Sequence, residues 1–404
     1  MIADNPDLVT VVGIGAGGWG DLGRTERRAL TSAQVVLGST RQLALLPAEV
    51  EARRVAWPSP LLPALPGLLE EHSASRVAVL ASGDPMFHGI GSTLVRLVGA
   101  DRVRVLPHPS SVALAAARLG WPLATTEVVS LVTADPAVVR RGLNPGRRLL
   151  VLARDAGTPA VVAELVATAG FGSAQLTVLE QLGGPSERIV SGTAASWEHP
   201  PGDPLNVIAI DCGPVGPATS IVPGLVDSAY ETDGQLTKRE VRAVTLAVLA
   251  PVPGELLWDV GAGSGSIGIE WMRSHPSCRA IAVESAAERV ATIATNAAKL
   301  GVPGLKVVTG RAPGALAGLP APDAIFIGGG VTRDGVLDAC LSALRPGGRL
   351  VANAVTVESE AVLAAAHAEL GGNLIRLSVS RGAPVGGFTG WKTMMPVTIW
   401  SVTR

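Results

Sequence analysis

Aromatic residues make up only 3% of this 404-residue chain, and neither charge sign dominates, with 33 Lys and Arg against 34 Asp and Glu. An RNA-modifying surface needs a basic face with interleaved aromatic platforms, so this composition argues against nucleic acid as a partner. It also leaves no global field to hold an anionic membrane. Cysteine is rare too. Cys212, Cys278 and Cys340 lie far apart with no paired spacing, which argues against a disulfide framework or a metal site and suits a reducing cytoplasm. Long apolar runs are missing, because Gly, Pro or a charge interrupts each one before membrane-spanning length. The opening Met-Ile-Ala-Asp-Asn-Pro-Asp lacks the basic and apolar regions of a secretory signal. The expectation is a cytoplasmic α/β enzyme, long enough for two domains.

Glycine, by contrast, is abundant, and its placement carries the reading. The stretch 256–268 reads as a buried strand ending in Asp259, then a glycine turn, then a helix opening at Ser266. Gly261, Gly263 and Gly265, with Ala262 and Ser264 between them, let a ligand approach the backbone beside a helix N-terminus, and these five residues with Asp259 are the expected cofactor contacts. Dinucleotide folds use the same device. A second strand, 280–283, ends in Glu284, and an acidic side chain there can accept from both hydroxyls of a ribose. The missing regular phosphate fingerprint favours S-adenosylmethionine over NAD.

Earlier in the chain, Gly13-Ile14-Gly15-Ala16-Gly17-Gly18 follows a β-branched run and matches a dinucleotide loop, but the next strand ends in Gly38-Ser39 with no acidic ribose partner. Strands are expected over 34–37, 76–81, 102–106, 148–153 and 175–179, alternating with helices, so ligands belong at the loops beyond the strand C-termini. Those loops are Ser82-Gly83-Asp84-Pro85-Met86-Phe87, Pro109-Ser110-Ser111-Val112 and Glu180-Gln181-Leu182-Gly183-Gly184-Pro185.

Taken together, these four motifs make residues 8–212 resemble the tetrapyrrole methylase family, most closely its cobalamin-pathway branch. The resemblance implies two α/β halves with S-adenosylmethionine between them. By motif it carries Ala16, Gly83, Asp84, Phe87, Ser110, Ser111 and Ala153 to that site. Family members often have proline at the position of Ala16 and a second glycine at that of Ser82, both small replacements.

A Gly/Pro/Ser cluster at 213–220 marks a boundary. The expected division is 1–214, a linker over 215–232, and a second domain over 233–404. Thr237 and Glu240 have the spacing of a capping box. After Glu284 come a helix closed by Gly301, a strand reaching Gly310-Arg311-Ala312, a strand ending in Gly328-Gly329-Gly330, and closing strands over 373–380 and 395–402. This order resembles a seven-stranded, Rossmann-like S-adenosylmethionine-dependent methyltransferase of the decarboxylating precorrin type. That resemblance puts Thr237 against the cofactor and Ala312 beside the adenine. The loop at Gly328 lacks the Asn/Asp-Pro-Pro-aromatic motif of base-amine methyltransferases.

The two resemblances imply one S-adenosylmethionine site per domain. They imply methylation of a precorrin-6-type ring at carbons 5 and 15, with loss of CO2 from the acetate on carbon 12. The ring is metal-free or, alternatively, cobalt-loaded. They also imply a homo-oligomer. The small-molecule tetrapyrrole substrate carries many carboxylates, so cations belong in the clefts: Lys238, Arg239, Arg242, Arg311, Arg381 and Lys392 in the second domain, Arg41 and Arg118 in the first. Arg381, followed by the glycine-rich 385–389, is preferred, because a guanidinium fork suits a carboxylate.

Overall fold

In the computed structural model, which describes residues 8–404, the chain divides into two compact units. The first comprises residues 8–136 and Asn144–Pro217; the second comprises Ala137–Leu143 and Ala218–Arg404.

The first unit holds two sheets. Val9–Ile14 (β1), Val35–Gly38 (β2), Arg53–Ala56 (β3), Val77–Ser82 (β4) and Val103–Leu106 (β5) pair in the order β3-β2-β4-β1-β5, all parallel. The β-branched runs of β1 and β4 take the centre, with Val11, Val12 and Val79 fully buried, as expected of parallel strands covered on both faces. Glu127–Ser130 (β6), Arg148–Leu152 (β7), Gln175–Glu180 (β8), Arg188–Thr193 (β9) and Asn206–Asp211 (β10) pair as β6-β7-β10-β8-β9, parallel only between β6 and β7.

The second unit is built on one seven-stranded sheet. Leu256–Val260 (β11), Arg279–Glu284 (β12), Lys306–Thr309 (β13), Ala324–Ile327 (β14), Arg349–Ala354 (β15), Asn373–Leu377 (β16) and Val397–Thr403 (β19) run in the order β13-β12-β11-β14-β15-β19-β16. Ser380–Val385 (β17) and Phe388–Thr393 (β18) form a separate antiparallel hairpin. Only β19 runs against its neighbours. The chain steps outward from β11 to β13 on one side and from β14 on the other. The carboxyl ends of β11 and β14 therefore flank a topological switch point, where α/β sheets open a crevice.

Three expectations are corrected. The closing stretch 373–380 breaks at Ser378-Val379 into β16, which pairs with β19 in the main sheet, and β17, which leaves that sheet to pair with β18. Residues 224–231, read as linker, pack into the second unit: Leu225 and Tyr230 are buried, and the Glu231 N–H donates to Asn296 Oδ1 at 2.8 Å. The capping box is absent. The helix Arg239–Leu249 has Lys238 as N-cap without a side-chain bond. The Arg239 N–H donates instead to Asp227 Oδ1 at 2.9 Å, so a residue from the supposed linker does the capping. Glu240 turns outward to Arg381.

Candidate functional site

At the switch point of the second unit lies a cavity of about 690 Å³. Gly261, Ala262 and Gly263 form one wall, Glu284 and Ser285 a second, Gly310, Arg311 and Ala312 a third, and Gly328–Gly330 the floor beyond β14. Thr237 and Lys238 close it from the helix entry, while Asn353, Met394 and Met395 line its far end.

Glycine is dictated at two positions here. Gly261 has φ +72°, and a Cβ on it would meet the Gly329 backbone nitrogen at 2.7 Å. Gly263 has φ +58°, and its Cβ would meet the Gln235 carbonyl at 2.9 Å. Both stand in the left-handed region with backbone too near for any side chain. The result is a bare main-chain wall. Glu284, 5% exposed, adjoins this wall. Its Oε2 accepts from the Gly263 N–H at 2.9 Å, and its Oε1 accepts from the N–H groups of Ser285 and Ala286 at 2.8 and 3.0 Å. Each carboxylate oxygen has room for more than one donor, so Glu284 fixes the loop and still faces the cavity as an acceptor.

Not every residue of the glycine stretch reaches this space. Ser264 is buried and donates to the Gln235 carbonyl at 2.9 Å; Gly265 packs on Ile293. Asp259 is fully buried beneath the loop, its Oδ2 accepting from the Gly268 N–H at 2.9 Å and its Oδ1 without a partner. These three shape the wall from behind.

Burial pushes the Asp259 carboxyl up to about 7, with the Gly268 N–H opposing the rise and nearby Glu284 adding to it. The folded chain thus holds this proton to higher pH than the unfolded chain, whose value is about 4, and stability falls as pH rises through that window. Asp259→Asn, which mimics the protonated acid, is expected to remove this slope. Thermal melts at pH 5 and pH 8 should show the variant gaining on wild type at the higher pH; parallel curves would remove Asp259 as the cause.

Two expected substrate cations are committed elsewhere. Arg242 is fully buried. Its Nε donates to Glu270 Oε1 at 2.6 Å, its other nitrogens bond Asp227 and the carbonyls of Thr237 and Leu225, and its guanidinium lies over the Tyr230 ring. Two carboxylates and two backbone carbonyls from outside this helix hold buried what charge alone placed in a cleft. Arg381, on the exposed hairpin, donates from Nη2 to Glu240 Oε2 at 2.5 Å and to Asp227 Oδ2 at 3.3 Å. Its fork is occupied by the chain's own carboxylates. The Arg381 guanidinium in turn holds the Glu240 carboxyl below its usual range.

In the first unit the expected loops converge. The Gly83 N–H donates to the Ile14 carbonyl at 3.0 Å, and a Cβ on Gly83 would lie 3.2 Å from Ser110 Cα. Ser110 caps the helix Ser111–Leu119, accepting from the Ala113 N–H at 3.1 Å. Ala16 meets the second half, since a Cβ on Gly184 would lie 2.8 Å from the Ala16 Cβ. Asp84 Oδ1 accepts from the Met86 N–H at 2.8 Å, and exposed Phe87 stacks edge-on against His88. Ala153 follows β7, its N–H directed at the Asn206 carbonyl. Arg118, expected to take a substrate carboxylate, is held bidentately by Glu187 at 2.5 and 2.9 Å. Arg41 instead reaches Ser82 Oγ at 3.0 Å, beside the Gly83 loop.

Comparison with known proteins gives these two units a common context. A family model described as tetrapyrrole (corrin/porphyrin) methylases matches residues 8–197, and one described as a precorrin methyltransferase domain matches residues 228–404. The chain is 50% identical over 399 residues to the precorrin-6Y C(5,15)-methyltransferase [decarboxylating] of a Sinorhizobium species, covering 98% of this chain and 96% of that one. It is 51% identical over 401 residues to the enzyme of the same name from Mycobacterium tuberculosis, covering 98% of this chain and all of that one. The chain belongs to the precorrin-6Y C(5,15)-methyltransferase (decarboxylating) family. Among solved structures, the C-terminal domain of the Rhodobacter capsulatus member is 46% identical, spanning 46% of this chain and all of that one, with a TM-score of 0.44.

As a member of that methyltransferase family the chain shows features that motif reading passed over. Arg289 and Arg333 line the cavity of the second unit. Arg289 is paired with Asp233 at 2.8 Å. Arg333 donates to the Ala312 carbonyl at 3.3 Å, from a turn pinned by its own N–H on the Gly330 carbonyl. Its spacing after the glycine triplet is the only signal that sequence offers. No helix among the described residues is long and apolar enough to cross a membrane. No cluster of three or more His, Cys, Asp or Glu among them is placed to hold a metal ion.

Proposed function

We propose that the chain carries two S-adenosylmethionine sites and completes one methylation at each. The first unit acts on carbon 5 of precorrin-6Y. The second, a Rossmann-like methyltransferase domain, acts on carbon 15 and releases CO2 from the acetate on carbon 12. The observation that carries the reading is the cavity at the β11/β14 switch point, with its bare glycine wall and the adjoining Glu284.

Those residues fit the cofactor. Gly261 and Gly263 give the main-chain approach that an extended ligand needs, Glu284 accepts from ribose hydroxyls, and Ala312 flanks a flat base. When bound, the cofactor supplies an electrophilic methyl on a sulfonium. The chain's own contribution is placement: the glycine floor at 328–330 leaves room for a macrocycle, and no general base is needed for a carbon nucleophile already electron-rich. Met394 and Met395 give the far end an apolar edge against which the ring can lie. Loss of CO2 draws on the protonated ring as electron sink. In the first unit, Ala16, Gly83, Asp84, Phe87, Ser110, Ser111 and Ala153 are the proposed lining.

Titration of the full chain with S-adenosylhomocysteine is expected to show two equivalents. Glu284→Ala should remove one of them and Asp84→Ala the other; a single equivalent in wild type would contradict two sites. We also assign self-association to the hairpin β17–β18, where Phe388 and its cross-strand partner Val385 are 84% and 62% exposed on one face and Trp391 is 81% exposed on the other. A monomeric mass by sedimentation at micromolar concentration would contradict it.

A further inference from the structure

The ionisable side chains around the second unit's cavity are Lys238, Glu284, Arg289, Arg311 and Arg333. Arg289 is offset by Asp233, outside the lining. Glu284 is the lone carboxylate of the set, and it already takes three backbone N–H groups. Arg333 rests one nitrogen on the neutral Ala312 carbonyl, which orients the fork without cancelling its charge. The nearby Arg381 brings its own carboxylates. Lys238, Arg311 and Arg333 thus leave the cavity positive.

That excess has two consequences. It suits a polycarboxylate substrate, and it opposes a ligand that is itself cationic. S-adenosylmethionine carries a sulfonium, whereas S-adenosylhomocysteine, its demethylated product, is neutral overall. We propose that Lys238, Arg311 and Arg333 form an anion site that holds off the cationic methyl donor until a polycarboxylate ring neutralises it. Cofactor and substrate binding are then positively coupled, each favouring the other by the same factor. Methyl transfer removes the sulfonium charge, so the same residues favour the product form of the cofactor once the anion has left. This rests on the proposed cofactor site, and its test is separable from that reading.

The test is isothermal titration of the full chain at low salt, with the second-unit site assigned by its loss in Glu284→Ala. At that site wild type is expected to bind S-adenosylhomocysteine about three- to tenfold more tightly than S-adenosylmethionine. The gap should shrink at 1 M salt, where the Debye length falls to about 3 Å. Lys238→Gln and Arg333→Gln should each tighten S-adenosylmethionine and leave S-adenosylhomocysteine unchanged, while Lys238→Arg and Arg333→Lys keep the gap. Uroporphyrin, used as a polycarboxylate stand-in, should tighten the methyl donor more than the product. Equal affinities, or a gap indifferent to salt and to the neutral variants, would overturn the anion site. Absence of any Glu284-dependent binding would instead overturn the cofactor reading.

Discussion

Arg242→Ala is expected to destabilise the second unit by about 3–5 kcal/mol, the usual penalty for leaving one member of a buried ion pair alone. Glu270, 2% exposed, would keep its charge with only the N–H groups of Gly224 and Leu225 and the Tyr230 hydroxyl as donors. Leu225 and Thr237 carbonyls would lose their guanidinium donor at the same time. The Tyr230 phenol, already pushed well above its usual range by burial, cannot share the charge. The consequence reaches function through position. This network fixes residues 224–237, and Gly234–Lys238 edge the cavity. Thermal melts should show a lower second-unit transition, and cofactor affinity should drop with it. Unchanged melting would mean that the network is not what holds this segment. Arg242→Met, which keeps the volume and removes the charge, is also expected to destabilise, because Glu270 stays buried; the double variant Arg242→Met with Glu270→Leu should recover much of the loss.

Glu284→Ala is expected to reduce carbon-15 methylation at least about a hundredfold while carbon-5 methylation persists. Three charge-assisted hydrogen bonds vanish with the carboxylate, one to the glycine loop at Gly263 and two to the turn at Ser285 and Ala286, each worth about 1.5–3 kcal/mol. The proposed ribose acceptor goes with them. Gly263 would then keep its positive φ without the contact that holds its N–H in place. CO2 release should fall in parallel, since the proposed function assigns both steps to this cavity.

The sequence made the strands easy to find because burial on both faces leaves uninterrupted β-branched and aliphatic runs, as in Leu256–Val260 and Val77–Ser82. The loops beyond them were legible for a similar reason: Gly261, Gly263 and Gly83 have backbone demands that few residues meet. Charged residues were far less legible. Arg242, Arg381, Arg333 and Arg118 have the same side chain, and only three-dimensional neighbours separate a buried strut, a surface latch, a cavity cation and a paired rim residue. Local order hid the packing of 224–231 as well. Gly, Pro and Ser dominate around it, while its anchors, Leu225, Tyr230 and Asp227, find partners on distant helices. Edge and hairpin strands such as Arg53–Ala56 and Ser380–Val385, largely exposed, carry too little hydrophobic pattern to announce themselves.

The proposed division of labour assigns carbon 5 to the first unit, and carbon 15 with CO2 release to the second. Its most direct test is mass spectrometry of the product that the full chain forms from metal-free precorrin-6Y and S-adenosylmethionine, run beside Asp84→Ala and Glu284→Ala. Wild type should add two methyl groups and lose one carboxyl. Asp84→Ala should leave carbon 5 unmethylated while carbon 15 is methylated and CO2 released; Glu284→Ala should add only the methyl at carbon 5 and keep the carboxyl. Loss of both methylations in either variant, or CO2 loss surviving Glu284→Ala, would contradict the assignment. Turnover only with the cobalt-loaded ring would contradict the metal-free substrate.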